Sequence, residues 1–582
     1  MPLSLTHFTS AAKLAAMHAD PRIVFLQLPR LDPDVSTPGE NVMLAAACLQ
    51  HALARSPEGA HWTVLPTPPT QDISDNARLV ETIVARNPAV LASTVYLWNI
   101  ERNLRLLTAL KKRLPHLRTV VGGPEISRDH PLLNAAVGVD VAVTGEGETV
   151  FPGILSALRR NRTTNWRNVG WRHGRSWTWG LRAPPSRPLA DLLPPADAAI
   201  NHPDAHGMAY LETNRGCPMR CAFCCYNLRR RGWSSLPPAE VARRIRVLRA
   251  RGTREIRLVD PTFNAHPQFR ATLAAMCRAN ADRKVRFFVE IRADTLTDAD
   301  AAALARANVV EAEVGVQSTD PAVLHRIHRP TRLDLVRRGI EFLQRHKIKP
   351  TIDFMYGLPG QKTDDIERSL KWLEDFPDAH QQFLPTLLLP GTELRDRCAE
   401  LGLRAQRLPP YRVQATGELS ARQLAAIEAT AVQRLGGFDT PTQCFVGRRL
   451  PDLFPERIRI SVNAGLGEIR GTSNRRAVIF SGADLFAPRE KITKWMHDAV
   501  RAEPDILWQF VLAPENEEPL DLLDAAIAAV RRMPAHWLDR LVSPAGVQRF
   551  SARRVLVQLP RARTFDIVWR AEAEDLLASV FH

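Results

Sequence analysis

The stretch Thr213-Asn214-Arg215-Gly216-Cys217-Pro218-Met219-Arg220-Cys221-Ala222-Phe223-Cys224-Cys225-Tyr226 sets Cys217, Cys221 and Cys224 at C-x3-C-x2-C spacing, directly after a strand-like run over 208–213. Gly216 and Pro218 are turn formers, so the reading is a strand followed by a loop that gathers thiols. Strand-like runs recur downstream at 255–259, 285–291, 309–316, 349–355 and 382–388, with helical patterns between them, as at 239–251, 334–345 and 364–376. Six strand–helix repeats predict an open, partial TIM-like (β/α)6 barrel over 206–400. In such a fold the chemistry sits on the loops after the strands, and the cysteine loop is the first of these.

Thiolates at this spacing can hold three corners of an iron–sulfur cluster. Three protein ligands leave one coordination position open, which a catalytic metal site requires. A zinc knuckle is the other reading of the same cysteines. Zinc wants a fourth ligand and a second C-x2-C pair; the sequence lacks that pair, although His202 or His206 could supply a nitrogen. Cys225, Cys398 and Cys444 stand outside the spacing and read as small buried residues.

Upstream, residues 21–160 alternate strand-like runs (22–28, 89–96, 117–121, 139–144) with helical ones (41–53, 100–113). Gly122-Gly123-Pro124 and Gly145-Glu146-Gly147-Glu148 follow the last two strands. This pattern predicts a doubly wound, Rossmann-like parallel sheet with its ligand at the strand C-termini. No G-x-G-x-x-G is present, so a dinucleotide fingerprint is absent. Residues 161–205, rich in Trp, Pro and Arg, read as a linker, and 1–20 as a separate N-terminal segment. Residues 401–582 read as a mixed α/β C-terminal domain, with strands over 477–480, 506–511 and 555–559, expected to close the open side of the barrel and shape a substrate pocket.

The chain has 582 residues, 45% hydrophobic and 24% charged, a globular composition that argues against bulk disorder. That length accommodates roughly three or four domains. Eight cysteines are too few for a disulfide-dense secreted scaffold. No apolar stretch reaches the ~18–20 residues of a membrane span, so a cytoplasmic protein is expected. The net charge of +16 comes mainly from Arg spread along the chain. Its densest run, Leu228-Arg229-Arg230-Arg231-Gly232, is short, so the charge reads as a generally basic surface and nucleic acid is not the expected partner.

The cysteine loop, with Phe223 just before its third cysteine and a (β/α)6 segment behind it, resembles the radical S-adenosylmethionine (SAM) enzymes over about 206–400. The resemblance implies a [4Fe-4S] cluster on Cys217, Cys221 and Cys224, whose fourth iron binds SAM and whose reduction releases a 5′-deoxyadenosyl radical. It further implies SAM contacts at Phe223 and at Asp260, in Val259-Asp260-Pro261-Thr262-Phe263-Asn264 after the second strand. Glu290 and Arg292 follow the third strand, and Gln317 and Ser318 end the fourth in Gly315-Val316-Gln317-Ser318. Gly357 and Pro359 lie in Asp353-Phe354-Met355-Tyr356-Gly357-Leu358-Pro359-Gly360, and Leu389-Pro390-Gly391-Thr392-Glu393-Leu394 makes the turn after the sixth strand. His325, His328 and Arg329 read as polar residues around a helix start.

Ahead of such a barrel, residues 21–160 resemble a cobalamin-binding domain. Ser93 and Val95, with Gly122 and Gly123, would wall the slot for the nucleotide tail, and Gly145 and Glu146 would close the domain. Tyr96 and Trp98 would cover the lower face of the corrin. The chain has no D-x-H-x-x-G, and Ser36 stands where a His would ligate cobalt, which implies cobalamin without a His lower ligand.

Together the two halves resemble cobalamin-dependent radical SAM enzymes, many of them methyltransferases. The implied reaction uses one SAM as methyl source through cobalamin. A second SAM is the radical source that opens an unactivated carbon, or phosphorus, of a small-molecule or peptide substrate. The electron donor would be flavodoxin- or ferredoxin-like. The alternatives are a non-methylating rearrangement or cyclisation enzyme, a tRNA-modifying radical SAM enzyme, and a non-catalytic cobalamin or redox sensor.

Overall fold

The computed structural model describes residues 21–578 apart from 32–40, 69, 183–186, 199–201, 205, 227–232, 436–445, 451–452, 468–470, 542–552 and 561–564. Ser36, the arginine run 229–231 and Cys444 lie outside the described residues.

Seven strands form the N-terminal sheet: β1 (Arg22–Leu26), β2 (Thr63–Leu65), β3 (Val90–Thr94), β4 (Arg118–Gly122), β5 (Val141–Val143), β6 (Val169–His173) and β7 (Ser176–Trp179), in the order β2-β1-β3-β4-β5-β6-β7. The first five are parallel, and β3 and β5 are buried along their whole length, as strands covered on both faces must be. Val24, Leu91 and Val121 pack under Leu79, Ile83 and Leu107 on one face. Ile23, Phe25 and Val120 pack under Phe151, Ile154 and Leu155 on the other. The doubly wound expectation holds. The stretch read as a linker, however, contains β6 and β7, an antiparallel hairpin that completes this sheet. Its turn runs through Gly174 at φ +59°.

The second sheet runs β8 (Met208–Leu211), β9 (Glu255–Leu258), β10 (Arg286–Ile291), β11 (Val309–Gln317), β12 (Lys349–Tyr356) and β13 (His380–Pro385), all parallel and each paired with the next. β13 does not pair with β8, so the barrel stays open, as the pattern predicts. Ala209, Ile256, Phe287, Val289, Val314 and Ile352 face outward into the helical layer. Side chains alternate along a strand, so Glu290, Glu311, Glu313 and Asp353 face the interior.

The C-terminal sheet is also wholly parallel: β14 (Val446–Gly447), β15 (Glu456–Ser461), β16 (Arg475–Gly482), β17 (Leu507–Pro514) and β18 (Arg553–Gln558), in the order β14-β18-β17-β16-β15. One face lies under the helices Arg489–Ala502 and Asp521–Arg532. The other face shares a core with Leu31 and Trp98 of the N-terminal domain. This sheet therefore docks on the N-terminal domain rather than over the barrel. The barrel's β12–β13 side is covered by the helix Ala421–Leu435, whose Leu424, Ile427 and Ala431 join Tyr356, Ile366 and Leu370 in one core. Among the described residues no helix is long and apolar enough to cross a membrane.

Arg476 holds the C-terminal contact. It is 1% exposed and bonds Asp75 of the N-terminal domain at 2.8 Å, Glu456 at 2.8 Å and Glu503 at 2.6 Å. Beside it, Asn76 donates to Asp505 at 3.2 Å, and Arg105 donates to the same carboxylate at 2.7 Å. Removing one partner of a buried pair leaves uncompensated charge and costs about 3–5 kcal/mol. Arg476→Leu is expected to lower the urea midpoint of the C-terminal transition by a corresponding amount, followed by Trp fluorescence. An unchanged midpoint would show that the interface does not depend on this charge.

Candidate cofactor sites at the domain junction

The cysteine loop leaves β8 and is anchored at its base by Asp260, two residues past the end of β9. The Asp260 carboxylate is fully buried and accepts from the Thr213 backbone at 2.8 Å, the Asn214 backbone at 3.0 Å and the Thr213 hydroxyl. Burial pushes this carboxyl up to about 7 against those hydrogen bonds. A carboxylate with these partners positions the loop, whereas the resemblance had implied an amine contact with SAM.

Gly216 turns at φ +96°, and the loop is pinned above by Ala222, which donates to the Ile327 carbonyl at 2.9 Å and accepts from the Leu394 amide at 3.0 Å. Cys217 Sγ lies 3.5 Å from the Thr262 hydroxyl, and Cys221 Sγ lies 3.5 Å from an Arg329 nitrogen. Arg292 stands nearby, bonded to Asp294 and to the Met219 sulfur at 3.2 Å. Burial, reinforced by the neighbouring Cys225, Cys221 and Cys217, pushes the Cys224 thiol up to about 12. A thiolate at that position needs a cation on its sulfur, and a bound metal deprotonates a coordinating thiol outright. Among the described residues no three His, Cys, Asp or Glu groups converge on a single-ion site. In a cluster each thiolate would take its own iron.

Glu290 is directed inside the barrel, and burial, then Glu313 and Asp260, push it up to about 7. Gln317, at φ +75°, folds back over Gly315, where a Cβ would meet its amide at 2.5 Å. Ser318 is buried and accepts from the Asp320 amide at 3.1 Å. Gly357 turns at φ +80° with Pro359 in the same turn. Phe223 packs among Leu324, Ile327 and Leu358.

A cavity of about 290 Å³ opens at the C-terminal ends of β3, β4 and β5, lined by Ser93, Gly122, Gly123, Gly145 and Glu146 among others. Gly123 has φ +122°, and a Cβ there would lie 2.4 Å from the Val95 carbonyl, so the fold itself demands glycine. Gly122 is different: a Cβ would come no nearer than 3.8 Å to anything. The bare backbone at Gly122 leaves the cavity open, as a slot for the cobalamin tail requires. Ser93 lines it, with its hydroxyl bonded to Asn103 at 2.6 Å. Val95 lies behind the wall in the sheet core, outside the cavity. Tyr96 and Trp98 also lie outside it, stacked 4.5 Å apart and 4° from parallel, and Trp98 faces the C-terminal domain.

Two barrel-domain residues complete this cavity: Arg215 and Tyr226, which flank the cysteines in sequence. Arg215 bonds Glu212 at 2.7 and 2.8 Å and Glu148 at 2.9 Å, with Glu146 at 3.4 Å. Glu146, expected at cobalamin, thus also partners the cysteine loop. Tyr226 is 50% exposed and has Glu290, Cys225 and Cys224 as electrostatic neighbours. Neither Arg215 nor Tyr226 was singled out from sequence. The available signal was an arginine inside the cysteine loop matched by the acidic Gly145-Glu146-Gly147-Glu148 turn.

Residues 50–155 match the B12 binding domain model and residues 211–373 match the Radical SAM superfamily model. The chain belongs to the cobalamin-dependent radical SAM family. Within this family, it is 35% identical over 149 residues to the 2-(S-pantetheinyl)-carbapenam-3-carboxylate methyltransferase of Streptantibioticus cattleyicolor, covering 24% of this chain and 22% of that protein. It is 32% identical over 167 residues to the cobalamin-dependent radical SAM methyltransferase TokK of Streptomyces tokunonensis, covering 27% of this chain and 23% of that one. The matches thus span less than a quarter of either relative.

The fold is shared with the methyltransferase TsrM from Kitasatospora setae, solved with tryptophan and a SAM analog (TM-score 0.54, 17% identity, 66% of this chain and 79% of that one). It is shared also with the radical enzyme OxsB, solved with aqua-cobalamin (TM-score 0.57, 14% identity, 72% and 67%).

In this cobalamin-dependent radical SAM chain, Gly122→Leu is expected to fold with an unchanged melting temperature and to keep the cluster's visible absorption. Its cobalamin retention after gel filtration should fall about tenfold or more, which is ~1.4 kcal/mol. Gly123→Ala, in contrast, should lower the melting temperature. Unchanged cobalamin retention in Gly122→Leu would overturn the slot.

Proposed function

We propose that this protein is a methyltransferase that moves a methyl group from SAM, by way of cobalamin, to an unactivated carbon or phosphorus of a small molecule or peptide. The observation that carries the reading is the shared wall: Arg215 and Tyr226 bracket the cysteine loop and also line the cavity of the cobalamin-binding domain. The methyltransferase relatives and the tryptophan-bound structural neighbour support it.

When bound, the cluster with SAM supplies a radical that abstracts hydrogen, and cobalamin supplies the methyl carrier. The chain's own residues then do four things. Cys217, Cys221 and Cys224 would hold the cluster, with Arg329 3.5 Å from the Cys221 sulfur and Arg292 on the Met219 sulfur inside the loop. Gly122 leaves room for the cobalamin tail and Gly123 makes the turn beside it, while Arg215 fixes the distance between that slot and the cysteine loop. Phe223, Gln317, Ser318, Gly357 and Pro359 form the rim on which SAM would rest, and their packed turns keep water out. Holding three reactants in one space is the protein's main contribution to rate. A flavodoxin- or ferredoxin-like protein would deliver the electron.

The test is anaerobic reconstitution with iron, sulfide and hydroxocobalamin, then SAM and reductant, with 5′-deoxyadenosine and S-adenosylhomocysteine counted by mass spectrometry. Wild type should form both. Cys221→Ala should lose 5′-deoxyadenosine, and Gly122→Leu should lose S-adenosylhomocysteine. If wild type with bound cobalamin forms 5′-deoxyadenosine alone, the methyl-transfer reading fails in favour of a rearrangement or cyclisation.

A further inference from the structure

The inside of the barrel is acidic, although the chain as a whole carries +16. Glu290 on β10 sits opposite Glu313 on β11, and Asp353 on β12 sits opposite Gly315, two residues beyond Glu313. Positions two apart share a face of the sheet, so the three carboxyls stand side by side. The neighbours that alternate with them, Ile291, Val314, Ile352 and Phe354, belong to the outward core.

Other inward acids have partners. Glu255 pairs with Arg257 at 2.9 Å and Arg286 at 3.3 Å, and Glu311 accepts from the Thr351 hydroxyl at 2.8 Å. Among the described residues, Glu290, Glu313 and Asp353 have no ion pair. Asp353 is 7% exposed and its Oδ1 has no hydrogen-bond partner. The nearby cation, Arg329, turns two of its nitrogens to the Gly315 carbonyl and the Cys221 sulfur, while its buried Nε has no hydrogen-bond partner and it forms no ion pair with the three carboxyls.

Burying carboxyls without a counter-charge is costly. Burial and then the Glu313 charge push Asp353 up to about 9, with the Arg329 charge opposing them. The same inner face already accommodates a guanidinium against an aromatic ring: Arg257 lies 4.5 Å over Phe288.

We propose that Glu290, Glu313 and Asp353 are a receptor for a cationic group of the substrate, an ammonium or guanidinium, held inside the barrel beneath the cysteine loop. This rests on the reading of the barrel interior as the reaction chamber. It narrows the substrate to a molecule that carries a basic nitrogen on the part that enters first. In the empty site a retained proton relieves the repulsion between neighbouring carboxyls; a cation between them takes the place of that proton, which leaves to solvent, and pairs with the carboxylate charge. A neutral molecule of the same shape would instead leave the carboxyls unpaired, which is the basis for discrimination. The ammonium of SAM has the same chemistry, so the test must tell the two sources apart.

The probes are n-hexylamine and n-hexanol, matched in length and differing in charge. Each is titrated by calorimetry into the full-length protein carrying cluster and cobalamin, with SAM saturating. The amine is expected to bind at least about tenfold more tightly than the alcohol. The double variant Glu313→Gln/Asp353→Asn should erase the preference, and Asp353→Asn alone should reduce it. Removing mutually repelling carboxyls should leave the melting temperature unchanged or raised, which shows that the variants are folded.

Equal binding of amine and alcohol to wild type overturns the proposal, as does a preference that survives in the double variant. A double variant that loses SAM affinity in parallel would assign the carboxyls to SAM's own ammonium, and the proposal would fail. The functional reading fails separately, if wild type discriminates the probes but never cleaves SAM.

Discussion

One guanidinium holds the cysteine loop against the cavity of the N-terminal domain. Arg215 reaches Glu212 within its own loop and Glu148 across the domain boundary, with Glu146 close by. Hydrogen bonds between charged groups are worth about 1.5–3 kcal/mol each, but the desolvation of a buried cation consumes much of that. The net return is therefore geometric more than energetic. The bidentate grip on Glu212 orients the guanidinium plane, so the bond to Glu148 sets where the loop sits relative to the acidic turn. If that relation changed, Arg215 and Tyr226 would no longer wall the slot, and the cysteine loop would lose its place beside it.

Other parts of the structure protect this arrangement. Behind Gly123, the buried carboxylate of Glu125 meets the Tyr411 hydroxyl, and His130 lies 2.7 Å from the same hydroxyl and 3.0 Å from Glu125. Tyr411 sits at φ +59°, a conformation unfavourable for an aromatic residue, with Arg395 over its ring at 4.6 Å. This knot ties the far end of the barrel domain to the loop that forms the slot. Arg476 does the same for the C-terminal sheet. The N-terminal domain is thus the hub to which both other units are fastened by buried charge.

Much of this was legible in the sequence, for a physical reason. The barrel strands carry alternating or continuous apolar patterns, and glycine-containing turns and the cysteine spacing are local signals. The hairpin Val169–Trp179 was read as linker because its tryptophans, arginines and glycines imitate an irregular segment. It becomes a strand pair only by adding to the edge of a sheet built elsewhere. The docking of the C-terminal sheet rests on pairs such as Arg476 with Asp75, separated by 401 residues, and no local pattern encodes them. Asp260 has the residue type of a ligand contact, and only the register of β8 and β9 turns its oxygens toward Thr213 and Asn214. Tyr96 and Trp98 follow a ligand-binding strand, yet the chain bends there into the helix Ile100–Arg113, which carries Trp98 to the interface with the C-terminal sheet.

The central claim is that the cysteine loop and the cobalamin slot open onto one space. The most direct measurement is electron paramagnetic resonance on protein loaded with both groups, with the cluster reduced and the cobalt held as Co(II). The account predicts that each signal is broadened by its dipolar coupling to the other and sharpens when the cluster is oxidised. A spectrum that is the plain sum of the two isolated signals would contradict it.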